Sequence, residues 1–308
     1  MKMTRAKVWM DGQLVNFEDA KVHVLTHGLH YGTGVFEGIR VYETSQGRAI
    51  FRLREHMVRF LESAKMIELK VPYSVDELCV ACRDVVRGAP ADGDYLRPIA
   101  YFGLNPQGNI GVNPLRMPTN VSIACTHMGA YVGKEQLENG ANVITSSWEK
   151  PSSRSALLTA KATGNYLNSV LARLEAIKRG ADEAIMLNAD GTVAEGTGEN
   201  IFLVRRGKIL TPPLSAGILE GITRDSIITL AAEMGSVVVE RDIARAELYT
   251  ADEVFMTGTA AEVTPIGTID GISVGKGKAG PVTKGLQSAF AQVVKGEDPR
   301  HMAWLDLV

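Results

Sequence analysis

Apolar and polar positions change period repeatedly along this chain, and each change marks the edge of an expected element. Lys7-Val8-Trp9 and Gln13-Leu14-Val15 flank Asp11-Gly12, a dipeptide that two-residue turns favour, so the chain should open with a β-hairpin. Val22-His23-Val24 and Ile39-Arg40-Val41-Tyr42 read as strands. Helical spacing follows over about 54–68 and about 74–87, where Ser74 and Glu77 form a capping box ahead of Leu78, Cys79, Ala81, Cys82, Val85 and Val86. Tyr95 to Phe102 and Val121 to Cys125 return to the strand pattern. The stretch 129–140 is polar and carries Gly129, Gly133 and Gly140, which suits a connection between domains. Beyond it a helix is expected over about 163–179, ending at Gly180, and strands turn at Asp190-Gly191 and Arg206-Gly207. A helix over about 222–234 stops at Gly235, Asp270-Gly271 marks another hairpin, and Pro281 starts a last helix to about 294. Strands and helices come in clusters without strict βαβ alternation, so the fold class reads as α+β.

Length then sets the number of domains. At roughly 150 residues per domain, 308 residues give two, and 45% apolar content is enough for sizeable cores. The expected division is an N-terminal α+β domain over 1–128, a connecting loop over 129–140 and a C-terminal domain over 141–308. Thirty-three basic against 35 acidic residues leave a net charge of -2, so no broad basic field exists to hold nucleic acid or anionic lipid. Charges at Lys7 and Asp11 stand where a secretory leader needs an apolar run, and no later run has the length of a membrane span. Three cysteines make no disulfide framework. These features together give a cytoplasmic expectation.

Three motifs invite a functional reading and are better read plainly. Gly275-Lys276-Gly277-Lys278-Ala279-Gly280 spells a dinucleotide fingerprint, but Pro281 and the nearby chain end leave no βαβ unit around it, so it reads as a glycine-rich loop. Cys79 and Cys82 fall on the apolar face of a helix rather than at its N-terminus, which favours core packing over redox or zinc chemistry. His23, His27 and His30 would align for a metal only on one continuous helix, and Gly28 with the apparent strand at 22–24 argues against that; no metal is expected, and a non-catalytic metal-binding protein stays as a distant rival.

Residues 155–172 contain one charge, Lys161, among small and apolar neighbours. Desolvation disfavours an ammonium, and a neutral amine is what attacks an aldehyde. The same residue could instead snorkel its head to water, and the local sequence fits both. A pyridoxal cofactor would also need an acid for its ring nitrogen and amides at a helix start for its phosphate. Glu195 in Val-Ala-Glu-Gly-Thr-Gly-Glu-Asn and the segment Gly221-Ile222-Thr223-Arg224 offer these, with an exposed turn residue and an ordinary N-cap as the plain alternatives.

Five motifs, Tyr31-Gly-Thr-Gly-Val-Phe-Glu-Gly-Ile-Arg40, Ala160-Lys161-Ala-Thr-Gly-Asn-Tyr166, Glu195-Gly-Thr-Gly-Glu-Asn200, Leu219-Glu-Gly-Ile-Thr-Arg224 and Thr257-Gly-Thr-Ala-Ala-Glu262, resemble in order those of class IV aminotransferases. Within that class Glu37-Gly-Ile-Arg40, Tyr95-Leu-Arg-Pro98, Gly111-Val-Asn-Pro114 and Gly129-Ala-Tyr131 look more like branched-chain amino acid aminotransferases than like D-amino acid aminotransferases or aminodeoxychorismate lyases. The resemblance implies the fold-type IV architecture, with a small N-terminal domain, a larger C-terminal domain holding a barrel-like sheet, and pyridoxal 5′-phosphate between them. It implies that Lys161 carries the cofactor as a Schiff base, that Glu195 meets the pyridine nitrogen and Tyr166 the ring hydroxyl, and that Arg59, Ile222, Thr223 and Thr259 bind the phosphate. By the same likeness Phe36, Gly38, Tyr131, Tyr166 and a partner subunit's Val112 line the side-chain pocket. Tyr95, Thr259 and Ala260 take the α-carboxylate, and Tyr31 with Arg97 receives the distal carboxylate of glutamate. The plain alternatives are a solvated helix face for Arg59 and a structural ion pair for Arg97. Met128 stands where well-known bacterial members carry an aromatic residue, which bears on side-chain preference. The implied reaction is ping-pong transamination of leucine, isoleucine or valine with 2-oxoglutarate to give 2-oxo acids and glutamate, in a homodimer or an assembly of dimers up to a hexamer. Other class IV reactions, on D-amino acids, amines or aminodeoxychorismate, are the alternative.

Overall fold

In the computed structural model, which describes residues 6–129 and 133–308, the opening hairpin forms as expected. Strands β1 (Lys7–Met10) and β2 (Gln13–Asn16) turn through Asp11 and Gly12, both at positive φ, 48° and 94°. The chain then passes through a short helix α1 (His27–Tyr31), strands β3 (Gly34–Phe36), β4 (Ile39–Thr44) and β5 (Gly47–Phe51), helices α2 (Leu53–Met66) and α3 (Val75–Arg87), and strands β6 (Tyr95–Phe102) and β7 (Thr119–Thr126). The strand expected at Val22–Val24 is absent: that segment has no neighbouring strand to pair with and turns into α1 through a Thr26 N–H to His23 carbonyl bond. The first helix ends at Met66, earlier than its apolar pattern, because Glu68 takes a left-handed φ of 58°. The capping box at the start of α3 forms in full, with Glu77 N–H donating to Ser74 Oγ and Ser74 N–H to Glu77 Oε2.

These elements make one of two compact units, and two distant pieces of chain, Ala160–Gly164 and Val294–Val308, join it. Its sheet is antiparallel throughout, in the order Leu305–Leu307, β5, β4, β6, β7, β1, β2, with β3 also paired to β6. Met57, Phe60, Leu78, Cys82 and Val85 of the two helices share a core with Leu96 and Ile123 of the sheet. Cys79 and Cys82 are buried there, and burial pushes the Cys79 thiol up to about 11 and the Cys82 thiol well above its ordinary range, as packing rather than redox residues require.

The second unit holds α4 (Lys134–Asn139), β8 (Ala141–Thr145), α5 (Tyr166–Lys178), β9 (Glu183–Leu187), β10 (Val193–Gly196), β11 (Asn200–Arg205), β12 (Lys208–Thr211), α6 (Ile222–Glu233), β13 (Val238–Glu240), α7 (Arg245–Tyr249), β14 (Glu253–Gly258), β15 (Glu262–Ile269), β16 (Ile272–Ser273) and α8 (Pro281–Val294). Its nine-stranded sheet runs β10, β9, β8, β15, β14, β11, β12, β13, with β16 on β15, and mixes parallel pairs (β8 with β9 and β15, β12 with β13) with antiparallel ones. Strand β11 is buried on both faces, which explains its unbroken apolar run Ile201-Phe202-Leu203-Val204. Residues 163–165 form a single 3-10 turn, so the helix expected from 163 begins at Tyr166. The loop at 275–280 follows a strand antiparallel to its neighbour, so no βαβ unit surrounds its glycines.

Candidate active site

Lys161 is fixed by its backbone before its side chain does anything. Its N–H donates to Ser63 Oγ on α2 at 3.0 Å, its carbonyl accepts from Phe36 N–H at 3.0 Å, and Ala162 bridges to Val35 of β3. Thr163 Oγ1 then donates to the Gly32 carbonyl, and the two small residues Gly32 and Gly164 meet where a Cβ on Gly32 would lie 3.0 Å from Gly164 Cα. The side chain so placed carries its Nζ to 5.0 Å from the centroid of the Phe36 ring. Desolvation lowers its pKa from 10.5 to about 8, Arg59 adding to the effect and Glu37 opposing it.

Phe36 serves a second cation. The Arg97 guanidinium lies 4.9 Å from its ring centroid and 5.3 Å from that of Tyr95, with Arg97 Nη2 at 3.4 Å from Tyr95 Oη. Tyr95 can lie there because residue 38 is glycine; a Cβ at Gly38 would collide with the phenol oxygen. One wall of the first unit therefore presents aromatic faces and a positive charge together.

Arg59, one helical turn beyond His56 on α2, has a side chain only 12% exposed, so it does not lie on a solvated face. It grips Glu37 with both Nε (2.7 Å) and Nη2 (2.8 Å), and His56 Nδ1 lies 2.7 Å from the same carboxylate. Burial alone would raise the Glu37 pKa, but Arg59 and His56 hold it well below the usual carboxylate range. Burial also keeps His56 neutral, so it acts as an N–H donor rather than a second cation.

In the second unit Glu195 sits just after a register shift between Val193 and Glu195 in β10. It is buried rather than an exposed turn residue, and three donors meet its oxygens: Lys150 Nζ at 2.6 Å, Leu219 N–H at 3.0 Å and Asn200 Nδ2 at 3.3 Å. The tight turn after it needs Gly196, where a Cβ would press on Glu199. Gly221 is the N-cap of α6 and supplies no side-chain cap, so Thr223 is not the cap but a buried residue of the first turn, beside buried Ile222. A Cβ at Gly221 would collide with Asn200 Oδ1, so the glycine lets the helix start against the residue that steadies Glu195. Thr259 and Ala260 occupy the partly buried turn between β14 and β15, and among the described residues the buried Thr257 hydroxyl just before it finds no partner.

The other expected residues differ in burial, and one lies outside the described residues. Tyr166 opens α5 and is partly buried. Tyr31 and Val112 are exposed, Met128 is partly buried with its N–H held by Asp94 Oδ1, and Tyr131 lies outside the described residues. The three histidines serve separate ends: His27 reaches Thr33 Oγ1 and the Gly111 carbonyl, His30 the Val24 carbonyl, and His23 Nδ1 accepts from Leu25 N–H. Sequence reasoning missed Glu37, His56, Lys150 and Asn200; the one local signal was a lone glutamate between an aromatic residue and a glycine.

The first unit supplies a low-pKa lysine, and the second a buried carboxylate and an uncapped helix start with a buried threonine, each a group of the kind that carbonyl, ring-nitrogen and anion chemistry calls for. The chain belongs to the amino-transferase class IV family, whose model matches residues 34–269. It is 48% identical over 302 residues, 98% of this chain and 97% of the relative, to a branched-chain-amino-acid aminotransferase of Escherichia coli K12. The crystal structure of an Escherichia coli branched-chain amino acid aminotransferase superposes with a TM-score of 0.94 at 47% identity, covering 98% of this chain and 99% of the other. The branched-chain amino acid aminotransferase of Thermobaculum terrenum, solved in its PLP-bound holo form, gives 0.90 at 38%, covering 99% of this chain and 98% of the other. The fold is accordingly the α+β fold-type IV architecture.

Proposed function

We propose that the protein is a pyridoxal 5′-phosphate-dependent aminotransferase that moves the amino group of leucine, isoleucine or valine to 2-oxoglutarate, releasing a branched-chain 2-oxo acid and glutamate. The observation that carries this reading is the sheltered Lys161 amine, whose pKa of about 8 keeps a useful fraction neutral near neutral pH. The bound cofactor supplies an electron sink for the bond broken at the amino acid's Cα. Lys161 Nζ would take the proton from the amino acid's Cα and hold it as the general acid. Glu195 accepts from the protonated ring nitrogen, Tyr166 meets the ring hydroxyl, and Arg59, Ile222, Thr223 and Thr259 take the phosphate.

Substrate choice follows from the family likeness, by which Phe36, Gly38, Tyr166, Tyr131, Met128 and a partner subunit's Val112 would take a branched side chain. Arg97, held over two rings, and Tyr31 meet the distal carboxylate when glutamate occupies the same place. Tyr95, Thr259 and Ala260 take the α-carboxylate common to both substrates. The same proposal covers a small domain over 1–128, a large one over 141–308, a self-associating, cytoplasmic protein, and no nucleic-acid or membrane partner; among the described residues no helix is long and apolar enough to cross a membrane.

Visible spectra of wild type and Lys161→Ala, each supplied with the cofactor, test the core of this reading. The wild type should be yellow and bleach on adding L-leucine, while the variant shows neither the lysine-bound band nor turnover. A wild type that stays colourless after incubation overturns the cofactor assignment, and activity on D-alanine, a chiral amine or aminodeoxychorismate without activity on L-leucine overturns the substrate class.

A further inference from the structure

The charges around Arg59 pose a problem for a phosphate-binding arginine. One edge of its guanidinium, Nε and Nη2, is committed to Glu37, a carboxylate with 0% exposure. A buried negative charge at that place repels any anion Arg59 takes. It is nevertheless held with care. Arg59 Nε donates to Oε1, Arg59 Nη2 and the His56 ring to Oε2, and Gly38 N–H lies 3.4 Å from Oε2. His56 and Arg59 are three residues apart on α2, so one helix face delivers both donors to the connection between β3 and β4. The same carboxylate stands near Lys161, whose charged form it favours while Arg59 disfavours it. The other groups bearing on that amine from the first unit are Tyr95 and Arg97 of β6.

We propose that Glu37 is a positioning residue for Arg59: it fixes the rotation of the guanidinium, so that Arg59 meets a phosphate in one orientation. The proposal rests on Arg59 being a phosphate ligand. An arginine side chain loses rotamer entropy when an anion fixes it, and a fork already locked by Glu37 loses little more when the anion arrives. The clamp and the charge predict opposite signs. As a charge alone, Glu37 weakens anion binding and its neutralisation strengthens it; as a clamp, its loss weakens binding.

The cofactor-free protein separates these outcomes. Pyridoxamine 5′-phosphate and pyridoxamine have no carbonyl for Lys161 to bond, so the ratio of their affinities, measured by calorimetry or fluorescence, isolates the phosphate contribution. Arg59→Ala should collapse the ratio; a ratio that survives this change removes Arg59 from the phosphate site and the proposal with it, leaving the lysine chemistry untouched. Glu37→Gln keeps the shape without the charge, and Glu37→Asp keeps the charge but falls one methylene short. Both should lower the ratio by about tenfold, with the affinity for pyridoxamine itself unchanged. His56→Leu frees one of the bonds to Oε2 without altering either charge and should lower the ratio less, in the same direction. A Glu37→Gln ratio equal to or above wild type overturns the proposal. Should the Glu37 variants fail to fold, an unchanged ratio in His56→Leu does so.

Discussion

Lys161 titrates near 8 when folded and near 10.5 when solvated. Below pH 8 both states hold the proton, and the folded state bears the full cost of enclosing a cation, on the order of 3 kcal/mol. As pH rises from 8 towards 10.5 the folded amine is neutral, and the cost fades. Lys161→Met in the cofactor-free protein should therefore raise the unfolding free energy by about 3 kcal/mol at pH 7, with the gain shrinking to near zero by about pH 11. Urea titrations at the two pH values decide this, and equal stabilities at pH 7 would mean that the amine is not desolvated. The Lys150–Glu195 pair shows the opposite balance. Both side chains are about nine-tenths buried, at 10% and 11% exposure, and their 2.6 Å bond satisfies each charge. Lys150→Met leaves Glu195 with only Asn200 and the Leu219 N–H, and should cost about 3 kcal/mol in the same titration; a loss below about 0.5 kcal/mol would show that those two donors suffice.

Elements whose signals are local were legible in the sequence. The α3 capping box, the Asp11-Gly12 hairpin and Pro281 at the head of α8 each depend on residues within four positions of one another. Ser74→Ala should accordingly cost about 1 kcal/mol in thermal or urea unfolding. What failed depended on partners far along the chain. Val22–Val24 has a strand's alternation but no strand to pair with, while the three-residue strands β3 and β13 form because neighbours recruit them, with too few residues to show a period. The site divides in the same way. Lys161 stood out as one charge in an apolar stretch, whereas Glu37 meets Arg59 across 22 residues and Lys150 meets Glu195 across 45. Gly221 sits at such a junction, between the start of α6 and Asn200. Gly221→Ala should displace Asn200 and weaken binding of pyridoxamine 5′-phosphate by about tenfold with the fold intact. Unchanged affinity would show that the helix start has room to shift.

At the scale of the whole molecule, exposed apolar side chains gather on part of the first unit. In the first unit Val112 and Leu115 are 76% and 78% exposed, and Ile110, Val22, Val24 and Leu29 are exposed with them. These two segments are tied together by the bond between His27 Nε2 and the Gly111 carbonyl, and His30 bonds the Val24 carbonyl within the first of them. Isolated exposed apolar residues are ordinary, but a cluster on adjoining segments marks an interaction surface. A second copy of this chain is the occupant that the proposed function requires, because Val112 is expected to complete a partner's pocket. Sedimentation at micromolar concentration should therefore show a dimer or a multiple of it. Leu29→Glu and Val112→Glu place a charge in the patch, where a buried unpaired carboxylate costs several kcal/mol, and each should lower the mass and the turnover of L-leucine together. Wild type sedimenting as a monomer with full activity would remove the shared pocket. Full activity in dissociated Val112→Glu would keep Val112 at the contact between copies but confine the whole site to one chain.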